Sequence, residues 1–269
     1  MGSGIAQVAA QAGFHTILYE LNKDVLERSR SGLQHILNRL VEKKKITEEE
    51  KEKIFQRIRF THDIQICLAD VFIEAIVEKS ELKIALFNQL AELNHSECVF
   101  ASNTSSLSLT NIAASVKNPE RVIGMHFFNP APLMQLVEVV KTKYTNEETT
   151  KATIDLAKKM GKNPVVCKDS PGFIVNRVAR PFYIESLRIA EEDLSGFSGI
   201  DTLLEATGFR MGPFKLMDLI GNDVNYAVSV SVYEQLGQPE RLKPSGIQKQ
   251  KVDSGELGKK SGKGYYDYS

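Results

Sequence analysis

What most constrains this chain is a change of texture near Asp169. Before that point, short apolar runs alternate with amphipathic stretches; after it, only helical spacing remains. ADVFIEAIV (69–77) and VFASNTSS (99–106) are near-continuous apolar runs, as expected of strands buried on both faces. RVIGMHFF (121–128) and LMQLVEVV (133–140) read as strands joined by the proline turn NPAP. HTILYE (15–20) is a shorter strand ending in an acid, and PVVCKD (164–169) a last one. Between them, residues 3–12, 22–44, 81–93 and 146–160 read as helices, with Gly13 and Gly161 as stops and Asn146 as an N-cap. The charged stretch 42–53 reads as a solvated helical hairpin. Beyond Asp169, Ser170-Pro171 is an N-cap with proline at N1, opening a helix to about Glu192. Helical patterns follow at 199–207, 213–236 and 245–255, then the glycine-punctuated tail GKKSGKGYYDY. Alternating strands and helices followed by helices alone predict an α/β domain over residues 1–169 and an all-α domain over 170–269.

Bulk properties exclude several classes. Lys+Arg and Asp+Glu both number 34, so no net charge draws the chain to nucleic acid or an anionic membrane. No apolar run approaches the roughly 18 residues of a membrane span, and no charged segment precedes an apolar one as in a secretory signal. Cys67, Cys98 and Cys167 are scattered without CxxC spacing, which predicts neither a disulfide framework nor a metal site. Sparse, odd cysteines suit a reducing compartment: the cytoplasm, or the mitochondrial matrix if a targeting segment lies upstream.

The opening stretch MGSGIAQVAAQAGFHTILYE is a helix followed by a strand that ends in Glu20. In a Rossmann unit a strand feeds a G-x-G-x-x-G turn, the next helix receives a pyrophosphate on its N-terminus, and an acid ending the second strand reads the ribose. Gly2 fits the third glycine and Glu20 the acid; the strand and the first two glycines would lie before Met1. This pattern alone also arises by chance, so the chemistry must be sought further along.

His126 sits in IGMHFFNP, on an apolar strand just before a turn, where open α/β sheets bind ligands. A plain role as a satisfied core histidine is the alternative. Glu138, in QLVEVV, is a carboxylate among valines; it belongs either on the outward face of an edge strand or beside His126. A tight turn between the two strands is compatible with antiparallel neighbours. A buried glutamate needs a partner, and a carboxylate behind an imidazole fixes its tautomer and raises its basicity, as a general base requires. SNTSSL (102–107) ends a strand in small polar residues, which either cap the next helix through Ser105 or Ser108 or supply donors to a ligand. Asn176, in PGFIVNR, either bonds a neighbouring helix or faces a cleft.

Together these stretches resemble the short, monofunctional L-3-hydroxyacyl-CoA dehydrogenases. The carriers are MGSGIAQ, FIEAIVE (72–78), FASNTSSLSLTNIA (100–113), GMHFFNPAPLMQLVEVVKT (124–142), KDSPGFIVNRV (168–178), MGPFKLMDLIG (211–221) and GKKSGKGYYDY (258–268). The resemblance implies a Rossmann-type, mostly parallel sheet followed by a helical substrate-binding and dimerisation domain. It implies NAD as cofactor and an acyl-CoA as substrate, with short chains such as 3-hydroxybutyryl-CoA and acetoacetyl-CoA the default. It assigns the catalytic base to His126, its partner to Glu138, and the substrate oxygen to Ser105 and Asn176. Gly2, Glu20, Glu78, Lys83, Asn103, Asn129 and Lys260 match positions around the cofactor, and Lys43 a basic residue near the CoA phosphates. An acid at position 20 repels a 2′-phosphate and so favours NAD over NADP.

The family begins with a strand and two glycines that this chain, as written, lacks. A start assigned one strand late and a real deletion both fit, Met1 falling where the family's turn often carries a methionine. Two other functions stand beside the dehydrogenase: a cofactor-deficient remnant that only folds and dimerises, and a related enzyme acting on free hydroxy acids.

Overall fold

In the computed structural model of the protein, residues 1–268 are described, in two compact units, Met1–Asp169 and Ser170–Ser269. The first unit begins with helix α1 (Gly2–Gln11), strand β1 (Thr16–Tyr19), helices α2 (Lys23–Glu42) and α3 (Glu48–Gln56), and strand β2 (Ile58–Thr61). Then come β3 (Val71–Glu74), α4 (Ser80–Leu93), β4 (Val99–Ser102), α5 (Leu109–Ala113), β5 (Val122–Phe127), β6 (Leu136–Lys141), α6 (Glu147–Lys159) and β7 (Asn163–Lys168). A two-stranded sheet pairs β1 with β2, and a five-stranded sheet runs β3-β4-β5-β6-β7. All pairs are parallel except β5–β6.

No ladder joins β1 to β3 among the described residues; side chains join them instead. One face of α1 sends Ile5 and Val8 into the core of the larger sheet, against Ala101, Ile123 and Met125. Ala6 and Ala10, on another face, pack with Leu18, Leu33 and Leu37 of the smaller sheet and α2. Ile17 and Tyr19 of β1 pack with Phe72 and Phe100 of β3 and β4. The charged hairpin is real: Thr47 and Glu50 form a capping box at the start of α3, while Leu33, Leu37 and Ile54 face inward.

Local sequence misjudged three places here. Strand β2 was not anticipated; only Ile58 and Phe60 alternate in it, directly after a charged run. The run 69–77 yields just four strand residues, because the Glu74 side chain accepts the Ile76 N–H at 2.6 Å and turns the chain. Leu133 and Met134 stand outside β6, in a segment whose carbonyls at Ala131 and Met134 receive the buried Lys162 ammonium at 2.6 and 2.9 Å.

The second unit comprises α7 (Val175–Glu191), α8 (Phe197–Ala206), α9 (Pro213–Ile220), α10 (Asn222–Gln235) and α11 (Gly246–Asp253) around Tyr183, Leu187, Ile200, Phe214, Met217 and Tyr265. The Ser170-Pro171 cap is not formed. Gly172 (φ 73°) and Phe173 (φ 49°) take left-handed conformations, Phe173 is buried, and α7 starts only at Val175. The single pattern 213–236 is two helices, broken at Gly221 with φ 104°. The tail returns across α9 so closely that a Cβ on Gly264 would stand 2.0 Å from Asp218 Oδ1.

Candidate active site

The carboxyl ends of parallel strands β3, β4 and β5 form the edge at which open α/β sheets collect ligands. His126 is the penultimate residue of β5, and its direct partner across the antiparallel ladder is Glu138 of β6. Directly opposed residues share one face of a sheet, so register alone brings imidazole and carboxylate together. Nδ1 donates to Glu138 Oε2 at 2.7 Å, with His126 6% and Glu138 1% exposed. Strand β7 covers the far side of β6, so Glu138 lies inside the sheet and not on an edge strand. A carboxylate acceptor keeps the proton on Nδ1 and directs the basic lone pair to Nε2. The same carboxylate shapes its surroundings: burial, then Glu138 and Asp169, push the Cys167 thiol up to about 11.

Asn103 stitches the neighbouring strand ends. Its Oδ1 accepts the Phe127 N–H at 2.8 Å, beside His126, and its own N–H donates to the Glu74 carbonyl. Ser105 and the residues around it are organised by Glu78. One oxygen of that carboxylate accepts the Thr104 hydroxyl at 2.6 Å, the Ser105 and Ser106 N–H groups at 2.9 and 3.1 Å, and the Ser106 hydroxyl at 3.0 Å. Burial alone would raise the Glu78 pKa. The bonds from Thr104, the Lys83 ammonium and the Ser105 amide outweigh it and hold the group below the ordinary carboxylate range. Ser108, not Ser105, caps α5, and Asp169 Oδ2 binds both the Ser108 hydroxyl and the Thr110 N–H.

Other positions named from the sequence fall as follows. Gly2 opens α1, which has no side-chain cap, no acid in its first turn and unspent N–H groups suited to an anion. A Cβ on Gly2 would face Ala75 at 4.0 Å, so this helix end lies against the loop after β3. Glu20 follows β1 and spends one oxygen on the Asn22 N–H that starts α2. Asn129 is exposed just after β5, ahead of a cis bond to Pro130. Lys83 is buried: its side chain is 1% exposed and its ammonium pairs with Glu74 at 2.7 Å and Glu78 at 3.3 Å. Lys43 is not gathered at this edge; it caps the far end of the 20-residue α2, about 30 Å along the axis from Asn22. Asn176 and Lys260 belong to the second unit. Asn176 sits in the first turn of α7, and the Lys260 ammonium is held by both oxygens of Asp223 at 2.5 and 2.7 Å.

Sequence reasoning missed Glu74 and Lys162. Glu74 was visible by the criterion that singled out Glu138, an acid inside an apolar run, here FIEAIV. Lys162 had no such signal, because only the fold places the carbonyls of 131 and 134 around it. Among the described residues no cluster of metal-ligating side chains occurs, and no helix is long and apolar enough to cross a membrane.

Comparison with known proteins places this geometry. Residues 1–170 match the family described as 3-hydroxyacyl-CoA dehydrogenase, NAD binding domain, and residues 172–268 its C-terminal domain. The chain is 47% identical over 270 residues to the 3-hydroxyadipyl-CoA dehydrogenase of Escherichia coli K12, spanning all of this chain but 57% of that protein. It is 40% identical over 277 residues to the mitochondrial hydroxyacyl-coenzyme A dehydrogenase of Rattus norvegicus, covering all of this chain and 88% of the relative. The crystal structure of the (S)-3-hydroxybutyryl-CoA dehydrogenase PaaH1 of Ralstonia eutropha superimposes with a TM-score of 0.95 at 34% identity, covering 100% of this chain and 95% of that one. With both domain models matched in order and a relative at 40% identity covered over 88% of its length, the chain belongs to the 3-hydroxyacyl-CoA dehydrogenase family of NAD-dependent oxidoreductases.

Proposed function

We propose that this chain catalyses the reversible oxidation of short-chain (S)-3-hydroxyacyl-CoA thioesters, such as 3-hydroxybutyryl-CoA, to their 3-oxo forms. The observation that carries the reading is the buried 2.7 Å bond between His126 and Glu138 at the carboxyl edge of the sheet. NAD, when bound, supplies the hydride acceptor. His126 Nε2 takes the proton of the 3-hydroxyl as the C3 hydride leaves, and Glu138 stabilises the imidazolium that forms. Ser105 holds the substrate oxygen. The same role for Asn176, and a loose contact of Lys43 with the CoA phosphates, rest on the family resemblance.

Two features fit the cofactor. The uncapped N-terminus of α1 at Gly2 suits a pyrophosphate. Glu20 keeps lone pairs for ribose hydroxyls after binding Asn22 N–H, and its charge disfavours a 2′-phosphate. Glu78, Asn103 and Asn129 would border the nicotinamide side. Lys260 completes the cofactor set by resemblance.

Acyl-CoA binding and homodimerisation are assigned to the helical unit, where Val178, Leu203 and Phe209 expose 72%, 67% and 50% of their surface. Sedimentation should give twice the chain mass. Three free cysteines suit a cytoplasmic location.

NADH oxidation by the purified chain with acetoacetyl-CoA is the direct test. Turnover that disappears in His126→Ala supports the reading. No turnover, either from the chain as given or with a parallel strand supplied ahead of Met1 to pair with β1 and β3, would overturn it. Acetoacetyl-CoA turnover far above that of free acetoacetate separates the thioester enzyme from a hydroxy-acid dehydrogenase.

A further inference from the structure

Strands β3 and β4 end side by side, with Glu74 and Ser102 paired in register. Both are buried, and Glu74 is saturated. Its Oε1 takes the Ile76 N–H at 2.6 Å and the Lys83 ammonium at 2.7 Å, while Oε2 takes the Ser102 hydroxyl at 2.7 Å. The Ser102 oxygen in turn accepts the Thr104 N–H at 3.3 Å. One carboxylate thus fixes the end of β3, the end of β4 and the first turn of α4.

Glu78 is the loop-facing counterpart. Its side chain is 36% exposed, and apart from Lys83 its partners above all lie on residues 104–106. Lys83 stands between the two acids, 2.7 Å from Glu74 and 3.3 Å from Glu78. A fully buried ammonium demands counter-charge. Glu74 supplies it at closer range, and that leaves Glu78 free to spend an oxygen on the loop. With Glu74 neutral, Glu78 would be the sole counter-ion of Lys83 and would be drawn off the Ser105 and Ser106 amides.

We propose that Glu74 is a positioning residue: by satisfying Lys83 it holds Glu78 on the 104–106 loop and so sets the place of Ser105. This rests on the reading of Ser105 and its loop as part of the active site. The network's geometry favours the role over a purely structural ion pair, since the chains Glu74–Lys83–Glu78 and Glu74–Ser102–Thr104 both lead from the strand ends to the loop that carries Ser105.

Steady-state NADH oxidation with acetoacetyl-CoA and thermal melting, on the full chain, test it with Glu78→Gln, Glu74→Gln and the double variant Glu74→Gln/Lys83→Met. Glu74→Gln should lower kcat by about tenfold to a hundredfold, the scale of a displaced positioning group, with KM for acetoacetyl-CoA within about threefold. The double variant replaces a buried ion pair by a neutral one, a change often neutral for stability. It should therefore melt near the parent temperature and recover kcat toward the parent value, because no ammonium is left to draw Glu78 off the loop. Parent-like kcat in Glu74→Gln, or a folded double variant as impaired as Glu74→Gln, with Glu78→Gln impaired, overturns the inference alone. An unfolded double variant also counts against it, because the charges would then belong to the fold. Parent-like kcat in Glu78→Gln would instead remove the loop from the active site, and the inference with it.

Discussion

Glu138 in the first unit and Asp218 in the second are equally withdrawn from water, each 1% exposed, but they keep different company. Glu138 faces a histidine whose second ring nitrogen can take a proton. Asp218 faces neutral donors: Asn222 Nδ2 and Tyr265 N–H on Oδ1, Tyr266 N–H and the Tyr268 hydroxyl on Oδ2, all between 2.9 and 3.0 Å. Asp201, fully buried, repeats the pattern with the N–H groups of Phe214 and Lys215 and the Tyr266 hydroxyl. A carboxylate saturated by fixed neutral donors is a joint, here pinning the tail to α8 and α9. A carboxylate opposite a titratable base stores the capacity to stabilise a charge that appears only during reaction. Burial is common to both; the partner decides between scaffold and chemistry.

The contrast breaks if substitutions at the two places have the same phenotype. His126→Ala should cost about 10²–10⁴-fold in kcat, the usual worth of a general base, with NADH affinity by fluorescence titration nearly unchanged. Near-parent turnover would remove His126 from the mechanism. Glu138→Gln, which can still accept from Nδ1 but cannot balance an imidazolium, should cost about a hundredfold in kcat while the folded fraction stays high by circular dichroism.

Asp218→Ala should act on stability instead. It strips a shared acceptor from buried donors worth about 1–3 kcal/mol each when left unsatisfied, so urea denaturation should shift by about 3 kcal/mol, with NADH binding by the folded protein intact. A turnover loss in folded protein as deep as that of His126→Ala would erase the distinction. Gly264→Ala forces a methyl group onto Asp218 Oδ1 and should cost about 1–3 kcal/mol, the range of overpacked cores, read as a lower melting temperature.

The smallest effect sharpens the view of Glu138 as a charge sensed nearby. Cys167, its thiol pushed up to about 11 by burial, Glu138 and Asp169, should alkylate slowly at neutral pH, its rate rising as pH approaches that value because the thiolate is the nucleophile. An unfolded thiol ionises near about 8.5, so this group favours the folded chain below that pH and loses its contribution as pH climbs toward 11. Alkylation as fast as that of a free thiol at pH 8 would show that Cys167 senses neither burial nor Glu138.

The site was partly legible before any fold was known. His126 and Glu138 lie 12 residues apart across one turn, so strand alternation and an antiparallel return suffice to oppose them. Ser105 was visible as a polar strand end, but not the carboxylate that holds its amide. Lys83 was named only through the family resemblance, and no local signal foretold its burial, where two acids from other segments pair with it. The cap at Ser170-Pro171 illustrates the opposite failure. A sound local signal lost to the burial of Phe173 in a left-handed turn.

By itself, then, the sequence determined what short-range physics controls: most of the strands and helices but not their exact bounds, where the texture changes, and which acid can answer the histidine across a hairpin. The tertiary structure alone decided the pairings of distant polar groups: Glu74 with Ser102, 28 residues apart, Glu78 with Thr104, 26 apart, and Asp201 with Tyr266, 65 apart. Periodicity reports which face of an element is buried. Which polar groups meet depends on how strands joined by crossovers align and how distant helices and loops pack, a property no local window contains.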